Sequence, residues 1–360
     1  MSIFEKHPKK TLSILLFIFI VITDITAANL FSALGLYKPQ YKIERYYRVK
    51  NDVFHHTLAA NISQSDAKWG ALGYSVNTNS LGFKDSQPRQ ISLDKKHKRI
   101  LLIGDSFTEG IGYPYNETFA GIIASKLKPQ NIEVFNAGVS SYSPIIYFRK
   151  TQHLIEQGFQ FDELVVFIDI SDIENEAKHY TFDKNNNVID GPNAKSNKLD
   201  QKLKRFITEN TILLSNLRIL IRKFKAKTTR PREFNNSLNV HGSLWTVKKE
   251  VYNEYAKDGL PLAKKHMTML SDLLKKHNIK LTIAVYPWPD QIMNRDINSI
   301  QVTFWEDWSK KNNVKFINLF PNFINSISPE KIIKNYFILG DVHWNKEGHK
   351  LIAESVLPQL

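Results

Sequence analysis

Two short stretches far apart in the chain carry the residue types that acyl transfer needs. Gly104-Asp105-Ser106-Phe107-Thr108 follows directly on the apolar run Arg99-Ile-Leu-Leu-Ile103. A strand of that kind ending in a tight turn presents the Ser106 hydroxyl at the top of a sheet and at the start of a helix. There, free backbone N–H groups and the helix dipole can hold a developing oxyanion. Serine is also a common helix cap, and Ser106 taken alone fits that plainer role. The second stretch is Gly340-Asp341-Val342-His343-Trp344-Asn345. An aspartate two residues from a histidine can orient the imidazole: His343 would take the serine proton, and Asp341 would fix its tautomer and stabilise the imidazolium. The plainer alternative is a loop aspartate and a surface histidine ahead of a helix capped by Asn345. His349 lies inside that helix and is read as structural.

Elements that would position these residues recur as strand-then-helix units. The helical spacing of Thr118–Leu127 follows the first strand. After it come strand Glu133–Asn136, helix Pro144–Gln157, strand Leu164–Ile170, helix Pro261–His277, strand Lys280–Tyr286, helix Ser299–Asn312, strand Val314–Asn318 and helix Lys346–Leu357. The alternation predicts an α/β fold of three layers, α/β/α, around a parallel sheet covered on both faces. Ligands of such sheets sit at the carboxyl ends of the strands, where Ser106, Gly138 and Ser171 fall. Residues 37–98 show no sustained helical period and are expected to form an irregular or β-rich lead-in to a domain at 99–360. Residues 174–255 break the alternation and read as an insertion, with an amphipathic Leu203–Phe224 segment and a loose Lys225–Asn236 stretch.

Together the two stretches resemble the SGNH/GDSL hydrolase family. Its Gly-Asp-Ser turn after the first strand is matched by Gly104, Asp105 and Ser106. A glycine after another strand is matched within Asn136-Ala137-Gly138, and the resemblance implies that the Gly138 N–H donates to the oxyanion together with Ser106. The Asp and His before the C-terminal helix are matched by Asp341 and His343. Their Asp-x-His spacing is similar to the branch with alginate-type polysaccharide O-acetyltransferases and esterases. Asn77-Thr-Asn-Ser-Leu-Gly-Phe83 also looks like a segment found before the first block in bacterial members. One departure stands out: the family's Gly-x-Asn-Asp block reads Asp169-Ile170-Ser171-Asp172 here. Ser171 occupies the asparagine position and would supply a shorter oxyanion donor. Asp105, Asp172 and Trp344, beside these blocks, are candidates for substrate contact. The resemblance implies a serine esterase or acyltransferase acting on small O-acyl esters, with a cell-surface or extracellular glycan as substrate. The alternatives are a lipase or lysophospholipase, and a non-catalytic glycan-binding or assembly protein on the same fold.

Composition narrows the setting. The chain has 360 residues, a formal charge of +14 and no cysteine. Disulfides, thiolate metal sites and cysteine nucleophiles are therefore excluded. The basic residues are spread over several runs without interleaved stacking aromatics, so a solvated basic surface is expected and a nucleic-acid partner is not. No metal or organic cofactor is implied: His55-His56 lacks a third ligand at suitable spacing and reads as packing. Trp305 and Trp308, at helical spacing, read as core. Lys6, Lys9 and Lys10 precede the apolar run Leu12–Ile22, which with its milder continuation to Leu36 makes residues 1–36 a signal anchor or signal peptide. The positive-inside rule puts the bulk of the chain on the extracytoplasmic side, held by a membrane-spanning helix or released if the signal is cleaved. Asp24 is the one residue of this segment that does not fit an apolar span.

Overall fold

The computed structural model describes residues 7–36, 46–192, 206–207, 210–217, 220 and 234–360. The expected Leu203–Phe224 segment is therefore described in part, and the Lys225–Asn236 stretch lies outside the described residues up to 233. The chain divides into two compact units, Met1–Tyr46 with Lys195–Pro231, and Tyr47–Ala194 with Arg232–Leu360. This replaces the boundary expected at 98/99. The lead-in from Tyr47 is part of the larger unit, and so are both ends of the expected insertion.

In the smaller unit, α1 (Pro8–Ala33) has a mean hydropathy of 2.3 in its most apolar window and is long and apolar enough to cross a membrane. At 1.5 Å per residue it extends about 39 Å, against about 30 Å of hydrocarbon. Its apolar side chains, Leu12, Phe17, Phe19 and Ile22 among them, are exposed in the isolated chain. Asp24 is the exception, 2% exposed. Its carboxylate accepts the backbone N–H groups of Ile212 (2.7 Å), Leu213 (2.9 Å) and Leu214 (3.0 Å). Those amides open the helical stretch at 213–217, so the acid that spoils the apolar run caps a second helix.

The larger unit begins with the hairpin β1 (Arg48–Asn51) and β2 (His55–Leu58), followed by β3 (Ser65–Trp69), β4 (Leu72–Thr78) and β5 (Lys84–Asp85). The expected units follow: β6 (Lys98–Gly104), the single turn α2 (Ser106–Glu109), α3 (Phe119–Leu127), β7 (Ile132–Asn136), α4 (Pro144–Glu156), β8 (Glu163–Ile168) and α5 (Asp172–Lys178). After a small hairpin of β9 (Tyr180–Phe182) and β10 (Val188–Asp190) come α6 (Lys257–Lys276), β11 (Lys280–Val285), α7 (Ile300–Asn312), β12 (Lys315–Asn318), α8 (Pro329–Tyr336) and α9 (Lys346–Val356). The strand order of the main sheet is β12-β11-β8-β6-β7-β5-β4-β3, parallel through β7 and antiparallel from there to β3. Of the two expectations for the lead-in, irregular or β-rich, the structure shows the second: β3, β4 and β5 form the antiparallel edge of the sheet.

β8 is buried at every position and β6 at every position after Lys98. Near-continuous apolar strands of this kind require cover on both faces. Contacts of α4 with α6, and of α3 with α9, supply it. Trp305 and Trp308 on α7 are buried core residues. Helix α6 starts earlier than Pro261 suggested: a π-helical turn, Tyr252–Ala256, runs directly into it, and Pro261 lies inside the helix. Leaving β6, the chain moves to β7 on one side and then crosses to β8 on the other. The crevice at this switch, beyond the carboxyl end of β6, is where ligands of doubly wound sheets bind.

Candidate active site

Ser106 stands at that switch. Gly104 ends β6 where no side chain fits, since a Cβ there would lie 2.1 Å from Thr108 Oγ1 and 2.9 Å from the Phe167 carbonyl oxygen. The chain turns, and Asp105 caps the short helix by accepting the Phe107 N–H at 2.9 Å. Capping therefore falls to Asp105, and the Ser106 hydroxyl is free of that role. Its Oγ lies 2.9 Å from His343 Nε2, and His343 Nδ1 lies 2.6 Å from Asp341 Oδ1. Asp341 also accepts the His343 backbone N–H at 3.1 Å. With an ionised Asp341, Nδ1 carries the proton and Nε2 accepts from serine, the tautomer a general base needs. Burial alone would push the Asp341 carboxyl up. The His343 ring and backbone and the Trp69 indole outweigh it and hold the group below the ordinary range.

Three residues of this arrangement carry no motif. Trp69, at the end of β3, donates its Nε1–H to Asp341 Oδ2 at 3.0 Å and sets its ring edge-on to His343, centroids 5.1 Å apart. Arg48 on β1 forms a two-pronged ion pair, 2.8 and 2.6 Å, with Glu109, which also accepts the Ser140 N–H at 2.8 Å. That pair ties the end of the Ser106 turn to the loop after β7. Two fully buried lysines fasten the same loops: Lys84 Nζ donates to the Gly110 and Tyr113 carbonyls, and Lys150 Nζ to the Ala137 carbonyl and the Tyr142 hydroxyl. Burial pushes both amines down to about 7 despite the nearby Glu109 charge. Single inward-pointing side chains on short strands leave no period in the sequence, so only the fold reveals Trp69, Arg48 and Lys84.

The remaining expected site residues are placed differently from the sequence reading. The Gly138 N–H donates to Asn136 Oδ1 at 3.0 Å, and a Cβ on Gly138 would meet Thr108 Cβ and Cγ2 at 2.7 Å. That glycine is required by close packing on the Ser106 turn, and its amide already has an acceptor. Ser171 is turned from the expected oxyanion position: its N–H and hydroxyl both donate to Asp169 Oδ1, at 2.8 and 2.5 Å. Trp344 is fully buried beneath His343, with Phe107, Tyr286 and Phe119 around its ring. It packs the floor of the site and offers no face to substrate. Asp105 and Asp172 are buried too, and their contacts are internal. His349 is buried, its Nδ1 accepting the Phe119 N–H at 3.4 Å. His56 Nε2 donates to the Ser140 carbonyl at 2.8 Å, and His55 Nε2 pairs with Asp190 at 3.1 Å.

Among the described residues, Asp105, Asp169 and Asp172 are the carboxylates with oxygens clustered tightly enough, within 4.8 Å, to hold a metal ion. Their oxygens already take the Phe107, Ser171, Trp288 and Tyr147 donors, and Asp105 Oδ2 lies 3.1 Å from Ser106 Oγ. That donor set fits carboxyl groups sharing protons better than a cation.

The family described as "GDSL-like Lipase/Acylhydrolase" matches residues 100–356. No curated protein matches the sequence significantly. Among solved structures, a lipolytic G-D-S-L protein from Veillonella parvula is 14% identical, covering 72% of this chain and 97% of its own, with a TM-score of 0.38. A GDSL-like lipase from Bacteroides thetaiotaomicron is 13% identical over 75% and 91% of the two chains, TM-score 0.38. An acetylxylan esterase from Geobacillus stearothermophilus is 12% identical over 74% and 96%, TM-score 0.41.

Proposed function

Since the chain belongs to the GDSL-like lipase/acylhydrolase family, we propose that it is a serine esterase or O-acyltransferase with Ser106 as nucleophile, His343 as general base and Asp341 as its orienting carboxylate. The observation that carries this reading is the continuous path from Ser106 Oγ through His343 to Asp341, at 2.9 and 2.6 Å. In the first half-reaction Ser106 Oγ attacks the ester carbonyl carbon while its proton passes to His343 Nε2. The tetrahedral intermediate then collapses: the carbon–oxygen bond to the alcohol breaks, and His343 returns the proton to the departing oxygen. The acyl group left on Ser106 is taken by water, giving an esterase, or by a sugar hydroxyl, giving a transferase. By the same logic His343 deprotonates that second nucleophile.

Substrate class follows from the setting and from the Asp-x-His spacing of Asp341 and His343. Residues Pro8–Ala33 are long and apolar enough to cross a membrane, and Lys6, Lys9 and Lys10, ahead of the apolar run Leu12–Ile22, favour an extracytoplasmic domain. A small O-acyl group, acetyl above all, on a cell-surface or extracellular glycan is the substrate this favours. A fluorophosphonate probe tests the reading directly, because it reacts only with an activated serine. The wild-type protein should label and should turn over a short acyl ester, and Ser106→Ala should abolish both. Protein that neither labels nor turns over ester, with the biological role intact in Ser106→Ala, would make it a non-catalytic binding or assembly protein. The internal commitment of the Gly138 and Ser171 donors is the observation on that side.

A further inference from the structure

Ser106 has one hydroxyl proton and two neighbours placed to take it. Its Oγ lies 2.9 Å from His343 Nε2 and 3.1 Å from Asp105 Oδ2. An ionised Asp105 would accept that proton in a charge-assisted bond, about twice as strong as a neutral one. The hydroxyl would then be turned away from its base. A neutral Asp105 has the opposite effect, because its own O–H donates to the serine oxygen and leaves the serine proton for His343.

The surroundings decide between these states. Asp105, Asp169 and Asp172 are all buried, with an oxygen of each within 4.8 Å of the others. Three like charges so close in a protein interior do not ionise together. Donors are shared unequally among them. Asp169 takes the Ser171 N–H and O–H on Oδ1 and the Trp288 Nε1–H, at 2.7 Å, on Oδ2. Asp105 Oδ1 takes the Phe107 N–H and lies 3.4 Å from the Tyr286 hydroxyl, while its Oδ2 meets Ser106. Asp172 Oδ2 takes the Tyr147 hydroxyl at 2.8 Å and the Asp169 N–H at 3.1 Å, and its Oδ1 has no partner. Burial raises the Asp169 carboxyl, but the Ser171 hydroxyl and N–H, the Trp288 indole and the Tyr286 hydroxyl oppose that rise, so of the three the negative charge belongs on Asp169. This residue stands where the Gly-x-Asn-Asp pattern has glycine. Burial, reinforced by the Asp169 charge, drives the Asp105 carboxyl well above the ordinary range. The groups facing Asp105 are Asp169, Asp172, Tyr147, Tyr286 and, through Ser106, His343; among these no cation touches it to offset the burial.

We propose that Asp105 acts on Ser106 as a neutral carboxylic acid, and that Asp169 is the positioning residue that keeps it neutral. The proton chain then runs from Asp105 Oδ2–H to Ser106 Oγ, from Ser106 O–H to His343 Nε2, and from His343 Nδ1–H to Asp341. During attack the serine proton moves to His343 and the Oγ lone pair forms the new bond to carbon, while the Asp105 proton stays on Asp105 throughout. The proposal rests on the Ser106 and His343 roles given above.

Its test is the pH dependence of fluorophosphonate labelling in the full-length protein. Asparagine mimics the neutral acid, with its carbonyl accepting from Phe107 and its NH₂ donating to Ser106. Asp105→Ala should label at least about tenfold more slowly than wild type, as expected for a lost site donor, and Asp105→Asn should recover most of that loss. Wild-type labelling should fall at the alkaline end as Asp105 ionises, and the asparagine variant should lack that fall. Asp169→Asn should label slowly at neutral pH and recover as pH drops, because Asp105 then takes up the charge. A second readout does not need activity: carbon-13 NMR of the Asp105 carboxyl should report the protonated form at neutral pH. A carboxylate signal at Asp105, or an Asp105→Asn protein that is folded yet no better than the alanine variant, overturns the proposal. Loss of labelling in the wild type itself, with Asp105 still protonated by NMR, would sink the nucleophile assignment and leave the neutral Asp105 standing.

Discussion

Replacing Trp69 by phenylalanine isolates one hydrogen bond of the site. Phenylalanine keeps an aromatic edge against His343 but removes the Nε1–H that reaches Asp341 Oδ2 at 3.0 Å. Asp341 retains its bonds to the His343 ring and backbone at 2.6 and 3.1 Å, so the pair should survive while its carboxylate is held less firmly. A hydrogen bond to a charged group contributes about 1.5–3 kcal/mol, and partial exposure of this pair argues for about 1.5. At 1.36 kcal/mol per unit, the Asp341 pKa should rise by about one unit. In the wild type this pKa lies below its unfolded value. The stability it contributes is therefore present above the unfolded pKa and lost as pH falls through the folded one. The variant should lose that stability at higher pH, whereas the acid limb of kcat/KM, which reports protonation of the general base His343, should move little. At neutral pH Asp341 remains ionised in both proteins, so kcat/KM should fall only about threefold to tenfold through looser orientation, far less than the loss of a whole oxyanion donor, about a hundredfold or more. The assay is a pH profile of ester turnover or probe labelling, paired with acid denaturation. If the acid-denaturation midpoints of the two proteins coincide within error, Trp69 does not act through Asp341 and the reasoning fails.

Ser171→Ala should change turnover less than tenfold, because its hydroxyl serves Asp169, and should cost about 1–3 kcal/mol of stability in urea unfolding by stripping a donor from a buried carboxylate; a hundredfold loss of kcat with full stability would restore it as an oxyanion donor. Gly138→Ala should destabilise by about 1–3 kcal/mol through overpacking on Thr108, read from the same unfolding curves. Asp24→Leu should expose residues 210–217 to limited proteolysis, since three backbone donors lose their acceptor; unchanged proteolysis would contradict the capping role. Burial holds His56 near 4 and His349 near 3, against an ordinary 6.5. The unfolded chain therefore binds protons first as pH falls, and stability should drop from about pH 6.5 downward, a fall that thermal melts across that range would detect.

The strand and helix alternation was legible because buried parallel strands are continuous apolar runs and amphipathic helices repeat every turn. Both patterns survive in Ile100–Ile103, Leu164–Ile168 and the α6 and α9 helices. The Ser106 and His343 blocks were legible for a related reason. Ser106 sits at the end of β6 before a helical turn, and His343 in the tight turn between α8 and α9, places where few residues are free to vary in backbone geometry. The lead-in could be read only as irregular or β-rich because its strands are short and antiparallel, and β5, with two residues, has no period at all. Trp69 could not be linked to Asp341 from sequence, since 272 positions separate them and only closure of the sheet edge brings them together.

The orientations of the Gly138 and Ser171 donors have a common physical origin. Position relative to a motif predicts where a backbone lies, whereas a donor's direction depends on which buried acceptor competes for it. Here the acceptors are unusual, since Asp169 adds a carboxyl group between Asp105 and Asp172. A buried anion that close captures the nearest hydroxyl, and Ser171, two residues along, is the nearest. Ser171 in place of asparagine and Asp169 in place of glycine are then one change and not two: the acid needs a donor within reach, and a short side chain folds back where a carboxamide would reach forward. A double-mutant cycle on Asp169 and Ser171 measures that link. Removing either should destabilise the site, and removing both should cost less than the sum, because the second loss has no partner left to strand. Strict additivity of the two would mean that the residues act separately, and the departure at Ser171 would need another cause.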